Sequence, residues 1–222
     1  MSTAPAELTA ANLTQLERED EERQARLAAP DALANAALWY ATVAGWPVFP
    51  LWPGGKAPRI KSAHEPGSTC TGECGQLGHG LYDATTDPTQ VRGWWQQWPQ
   101  ANIGTRTGLR FDVIDVDGPD GYHSLAVMRH SKCPPDCCSI GVCWPDRTCI
   151  LDHETLGDAH TGGGGRHILI RPTGQGNGAK IAPGIDYRGE GGYIVLAPSL
   201  HESGNRYSWI ATPDERLLGV AA

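Results

Sequence analysis

The chain has 222 residues, 40% of them hydrophobic, and a formal net charge of −7; that length suffices for one sizeable α/β domain or two small lobes sharing a core. The acidic balance argues against a protein that coats nucleic acid by bulk charge, yet it leaves room for an enzyme that grips a strand locally and keeps carboxylates for a metal. No apolar run approaches the roughly 20 residues of a membrane span, and the N-terminus has no basic segment leading into an apolar one, so a cytoplasmic protein without membrane association is expected.

Residues 1–30 read as a polar extension, Ala/Glu/Arg-rich and suited to a solvated helix, with little apolar periodicity. Asp31 stands as the N-cap of DALANAALWYATVAG, in which apolar residues fall at helical spacing and Gly45 is the stop. VFPLW, from Val48 to Trp52, reads as a short strand, and PGGKAP as the loop behind it. Residues 61–80 show no regular pattern. In DPTQVRGWWQQWP, Asp87 caps a helix carrying Trp94, Trp95 and Trp98, which are read as packing residues rather than a base-stacking platform. ANIGTRTG leads into the strand FDVIDVD, GYHSLAVMRH reads as the next helix, and HILIRP, GGYIVLAPS and RYSWI are β-rich runs. Together these give an α/β or α+β fold.

Two aspartates stand at the end of the FDVIDVD strand. Residues two apart on a strand project to the same face, so Asp115 and Asp117 present their carboxylates side by side. Like charges so close raise one pKa unless a cation lies between them, and hard cations such as Mg²⁺ or Mn²⁺ take carboxylate oxygens together with substrate phosphates. A solvated strand end is the plain alternative. An EF-hand loop fails, because Pro119 stands where an oxygen ligand is required. A strand ending in Asp-x-Asp-Gly also resembles the haloacid-dehalogenase phosphatases, with Asp115 as nucleophile. That family needs a later Lys and a Gly-Asp-x-x-x-Asp-like motif, whereas Gly157-Asp158 is followed here by Ala-His-Thr-Gly.

TGGGGRHILIRP, from Thr161 to Pro172, is not a P-loop: no Lys-Ser/Thr follows the glycines, and a strand follows instead of a helix. It sets His167 at the start of a β-run, behind a loop whose backbone can approach phosphates closely. Asp186, between Ile185 and Tyr187 and followed by Arg188, can supply a third metal carboxylate. Arg188, Lys56 and Arg166 are the candidate phosphate contacts; Thr105 and Thr107, on the segment before Asp115, are candidate contacts to nucleotide or template.

All seven cysteines fall in two clusters that include histidine. In a reducing compartment an odd number of thiols points to metal rather than to disulfides. His64-x5-Cys70-x3-Cys74-x4-His79 offers four ligands suited to a structural tetrahedral zinc, though not at the spacing of a C2H2 finger. The second cluster holds Cys133, Cys137, Cys138, Cys143, Cys149 and His153, six candidates for four places. Adjacent cysteines point apart, so one of Cys137 and Cys138 is expected to bind, and the expected zinc set is four of Cys133, Cys138, Cys143, Cys149 and His153. Segments with so little core would draw folding free energy from the metal.

The ordered set Asp115-x-Asp117, Gly-Gly-x-His167 and Ile-Asp186 resembles the three motifs of the archaeo-eukaryotic primase superfamily. More narrowly, the chain resembles the N-terminal primase–polymerase (prim-pol) domain of plasmid and phage replication proteins. PGGKAP, HGLYDATTDPTQVRGWW, ANIGTRTG, FDVIDVDG, GGGGRH, GIDYRGEGGYIVLAPS and HESGNRYSW occur in the family's order, from about Ala32 to Trp209. The resemblance implies a two-lobed fold with an RRM-like catalytic sheet: a prim-pol domain over 31–222, with an N-terminal lobe at 31–110 and a catalytic lobe at 111–222. The Cys-rich segment 130–155 would be a zinc-binding insertion between the first two motifs, where some relatives carry a zinc stem. It further implies a DNA primase/polymerase acting by two-metal-ion nucleotidyl transfer. Asp115, Asp117 and Asp186 would hold Mg²⁺ or Mn²⁺, and His167 would bind the incoming triphosphate. A single-stranded DNA template, NTPs and dNTPs are the implied substrates, and a replicative helicase domain or protein the implied partner. A zinc-stabilised nucleic-acid-binding module without catalysis is the non-enzymatic alternative.

Overall fold

The structure, a computed structural model, describes residues 15, 18–19, 21–22, 29–130 and 155–213. Two units result, Met1–Ala32 and Leu33–Ala222. In the first, the described residues between 15 and 22 are helical, and Gln15 donates to Glu19 one turn on, at 2.7 Å.

The second unit is a mixed α/β fold with two antiparallel sheets and few helices. In chain order its elements are α1 (Ala32–Thr42), β1 (Val48–Leu51), a 3-10 turn (Gly80–Asp83), α2 (Pro88–Gln97), β2 (Asn102–Arg106) and β3 (Asp112–Val116). Then follow α3 (Gly118–His130), β4 (Gly157–His160), β5 (Arg166–Ile170), β6 (Gly178–Ala182), β7 (Ile185–Arg188), β8 (Tyr193–Leu196) and β9 (Ser208–Ala211). The small sheet has the order β1-β2-β8, the large one β6-β7-β3-β5-β4-β9. Among the described residues no helix is long and apolar enough to cross a membrane.

Local sequence explains much of this. Asp87 caps α2, its carboxylate accepting from Thr89 N at 2.9 Å, with Pro88 in the first turn where its missing N–H costs nothing. Trp94 and Trp95 are buried, and the Trp95 indole donates to Ala101 O at 3.0 Å. Gly118-Pro119-Asp120-Gly121, which reads as a break, is instead the first turn of α3. Gly121 is needed there, since a Cβ would fall on the carbonyl oxygen of Gly184, well inside contact distance.

The larger core cluster binds the small sheet, α1, α2 and one part of the large sheet, through Val113, Leu156 and Leu169. Trp46 lies at its centre, stacked on Tyr40 at 5.4 Å and packed on Phe111 at 4.6 Å. The second cluster, Ile114, Val116, Ile168, Ile170, Ile185 and Tyr187 with Leu125 of α3, covers the opposite face of the large sheet. Strand alternation therefore leaves Asp115, His167, Asp186 and Arg188 together on the face away from α3. The Cys-rich segment 130–155, with Cys133, Cys137, Cys138, Cys143, Cys149 and His153, lies outside the described residues apart from its two ends.

Candidate active site

β3 is the third strand of the large sheet, flanked by β7 and β5, and its antiparallel register sets Asp115 directly opposite Asp186 on one side and His167 on the other. Directly opposed residues share a face. Two carboxylates and an imidazole thus stand abreast across three neighbouring strands. Asp117 follows one residue past β3; its amide donates to Gly184 O at 2.7 Å, and its carbonyl accepts from Gly121 N at 3.2 Å at the start of α3.

Arg188 joins the two acids. Its Nε and Nη2 donate to Asp115 Oδ2 at 3.2 and 3.1 Å, and Nη2 also donates to Asp186 Oδ2 at 2.7 Å. Burial nevertheless raises the Asp115 pKa against the opposing pull of Arg188. Burial also raises that of Asp117, with the neighbouring Asp115 charge adding to it. Burial and then the Lys56 charge lower His167 to about 3, so its ring is neutral and the 3.4 Å approach of Nε2 to Asp115 Oδ1 is no charge pair.

Asp115, His167 and Arg188 line an open cleft of about 200 Å³ between the site face and the edge strand β8, with Lys56, Asn177, Gly191, Gly192 and Tyr207 completing its walls. Lys56 is held at the tip of the PGGKAP loop, where Tyr193 Oη donates to Lys56 O at 3.1 Å and Asn102 Nδ2 to Gly55 O at 3.0 Å. The glycine-rich loop borders Asp117: a Cβ on Gly165 would lie 3.3 Å from Asp117 Oδ1. Ser203 Oγ and Asn205 Nδ2 fix that loop by donating to Gly162 O at 2.7 and 3.2 Å, so part of the HESGNRYSW motif is a clamp on GGGG.

Not every sequence candidate joins the site. Arg166 lies on the opposite face, paired through Nε and Nη2 with Asp158 of β4, so it is not among the cations of the cleft. Asp158, the acid nearest to the phosphatase pattern, is therefore also turned away from Asp115. Thr105 donates to Pro47 O at 2.9 Å and Thr107 to Gly189 O at 2.6 Å, so both hydroxyls serve the frame rather than a substrate. Conversely, sequence reasoning passed over Tyr207. Its buried ring lies 5.8 Å from that of His167, and burial together with the Asp115 and Asp117 charges pushes its phenol up to about 12. A tyrosine inside the β-rich run RYSWI was the available signal.

The first Cys/His cluster is assembled in the irregular segment before the 3-10 turn. His64 Nε2 and His79 Nε2 lie 3.0 Å apart, Cys74 Sγ lies 3.4 Å from His79 Nε2, and with Cys70 all four ligand atoms fall within 4.8 Å of one another. Donors around a tetrahedral ion at bonds of 2.0–2.3 Å stand roughly 3.3–3.8 Å apart, so this set can hold a metal. Buried Asp83 accepts from Gly78 N and His79 N, both at 3.0 Å, and its Oδ1 lies 3.6 Å from His79 Nδ1. A carboxylate behind a ligating imidazole is the usual outer support of such a site.

Abreast acids for a divalent cation, cations at the rim and a buried neutral imidazole equip the cleft for a polyphosphate substrate accompanied by its metal. The family profile described as bifunctional DNA primase/polymerase, N-terminal (Prim-Pol), matches residues 37–219. The chain belongs to this family, which implies DNA and nucleotide substrates and a nucleotidyltransferase type of chemistry. No curated protein matches the chain.

Proposed function

We propose that this protein is the catalytic domain of a DNA primase/polymerase that performs template-directed nucleotidyl transfer in replication initiation of a plasmid, phage or other mobile element. The observation that carries this reading is the in-register row Asp186, Asp115 and His167 across β7, β3 and β5. The large sheet with α3 on its back is then the RRM-like catalytic sheet, and the small sheet belongs to the facing lobe.

The donor set fits divalent ions: Asp115 and Asp117 are carboxylates whose ionised forms are disfavoured by burial, and Asp186 lies beside Asp115. Asp115, Asp117 and Asp186 would hold Mg²⁺ or Mn²⁺, which when bound would activate the attacking 3′-hydroxyl and neutralise the leaving pyrophosphate. The protein's own groups do the rest. Lys56 and Arg188 bind the triphosphate from the cleft wall. His167, kept neutral by burial, donates one hydrogen bond to a phosphate oxygen without adding charge. Single-stranded DNA is the template, NTP or dNTP the substrate, and a replicative helicase domain or protein the partner. The His64, Cys70, Cys74 and His79 set holds a structural zinc.

The test is incubation with single-stranded template, NTPs, dNTPs and Mg²⁺ or Mn²⁺. Asp115→Asn and Asp117→Asn are each expected to reduce template-dependent product by on the order of 10³-fold, because the ion's share of transition-state stabilisation is several kcal/mol. Full activity in either variant, or no template-dependent product from the wild type, overturns the reading.

A further inference from the structure

Arg188 occupies an unusual position for a residue that binds phosphate. It extends from β7 two residues after Asp186, on the same strand face, and directly opposite Val113, two residues before Asp115. From there one edge of its guanidinium is committed to carboxylates. Nη2 is shared between Asp115 Oδ2 at 3.1 Å and Asp186 Oδ2 at 2.7 Å, and Nε adds a second bond to Asp115 at 3.2 Å. The remaining nitrogen, Nη1, has no protein hydrogen-bond partner among the described residues. The side chain is 27% exposed, and it lines the cleft beside Lys56.

Two abreast carboxylates on adjacent strands, one of them largely buried, repel each other unless a positive charge lies between them. Arg188 supplies that charge from within the chain. A divalent ion held by the same carboxylates would lie only a few ångströms from the guanidinium, and like charges at that range oppose each other strongly in a partly buried site. A triphosphate relieves this conflict, because its oxygens accept the same planar fork that now grips the carboxylates.

We propose that Arg188 is the resident counter-cation of the Asp115–Asp186 pair and that divalent-ion and triphosphate binding are coupled through its transfer from carboxylate to phosphate. Arg188 is thus a positioning residue before substrate arrives and a phosphate ligand afterwards. The inference rests on the carboxylates being the divalent-ion ligands of the proposed function, and it adds that the ion binds weakly until nucleotide is present. Because coupling between two ligands is reciprocal, the ion strengthens nucleotide binding by the same factor.

The test is Mn²⁺ binding, followed by the electron paramagnetic resonance of free Mn²⁺, with and without a non-hydrolysable dNTP analogue and corrected for Mn²⁺ held by free analogue. The proteins are wild type, Arg188→Gln, Arg188→Lys and Asp115→Asn. Without analogue, Arg188→Gln is expected to bind Mn²⁺ on the order of tenfold more tightly than wild type, since one repelling charge is gone. With analogue, wild type gains at least tenfold in Mn²⁺ affinity, Arg188→Gln gains less, and Arg188→Lys, which keeps the charge without the fork, lies between. Unchanged or weaker Mn²⁺ binding by Arg188→Gln without analogue overturns the inference. So does an analogue effect equal in wild type and Arg188→Gln. Mn²⁺ binding that is the same in wild type and Asp115→Asn removes the carboxylate ligands themselves, and with them the proposed function.

Discussion

At the scale of single residues, the candidate site takes its character from the burial of Asp115 and His167. His167 shows the consequence. Its imidazole is depressed to about 3, chiefly by burial, against an ordinary value of 6.5. As pH falls below 6.5, the unfolded chain takes up a proton that the folded protein refuses, so stability is lost progressively from there toward pH 3. Asp115 and Asp117 are raised by burial and act in the opposite sense, the folded protein protonating more readily than the unfolded chain. The histidine contribution is therefore isolated by difference. In urea unfolding between pH 5 and 6, the wild type is expected to lose about 1 kcal/mol per pH unit more than His167→Asn, close to the limit for one proton. Equal slopes would mean that the folded protein carries His167 protonated. Asp115, Asp117, His167 and Asp186 were legible as candidates through the ordered set of motifs they form together, not one by one. Arg166 was not: its glycine context suggested phosphate, but strand parity turns it to the other face, where Asp158 already pairs with it.

At the scale of elements, β3, β5, β8 and β9 and the helices announce themselves through apolar runs or caps, and β2, β4, β6 and β7 do not. β2 is NIGTR, with few apolar residues, yet four of its five residues are buried. Asn102 satisfies Gly55 O, Leu200 O and Leu200 N, Thr105 satisfies Pro47 O, and Gly104 lies where a Cβ would press on the Phe49 ring at 2.8 Å. Those partners are distant in sequence, so no local pattern carries the strand. The glycine-rich loop has a similar logic, and its glycines are not equivalent. A Cβ at Gly165 would fall on the Val116 carbonyl oxygen, a backbone atom of the strand that leads to Asp117. At Gly163 it would meet the edge of the His201 ring at 3.3 Å and Thr161 Oγ1 at 4.0 Å, side-chain atoms rather than backbone. Gly165→Ala is expected to cost about 1–3 kcal/mol in urea unfolding through overpacking. Gly163→Ala should stay within about 0.5 kcal/mol, as surface substitutions do. Equal costs would show that the loop does not pack against β3 as described.

At the scale of the whole unit, the candidate active site and the Cys/His cluster are served by different supports. The site face is tied into the main core through Val113 and Leu169, its strand neighbours on the same face. The cluster instead lies in an excursion of the chain fastened to β1 at two points, the Leu51–Pro58 and Val48–Thr85 bridges. Between 61 and 77 no residue is buried, so that segment has almost no apolar burial to hold it. A metal at His64, Cys70, Cys74 and His79, as proposed, with Asp83 behind His79, would supply the order that apolar burial does not. Lys56 does not depend on it, because its loop is closed independently by Trp52 N donating to Ala57 O at 2.9 Å and by Arg59 stacked 3.6 Å over Trp52. With the proposed zinc in this cluster, a chelator should open the segment locally rather than unfold the unit, since regions with few buried contacts open at low free energy. Amide exchange at 62–79 is expected to rise by at least tenfold after chelation, while β3, β5 and β7 keep their protection. Cys74→Ser should show the same pattern without chelator, distinguishing loss of this site from metal removed elsewhere in the chain. Loss of protection in β3 together with the excursion would mean instead that the metal holds the fold and not merely its margin.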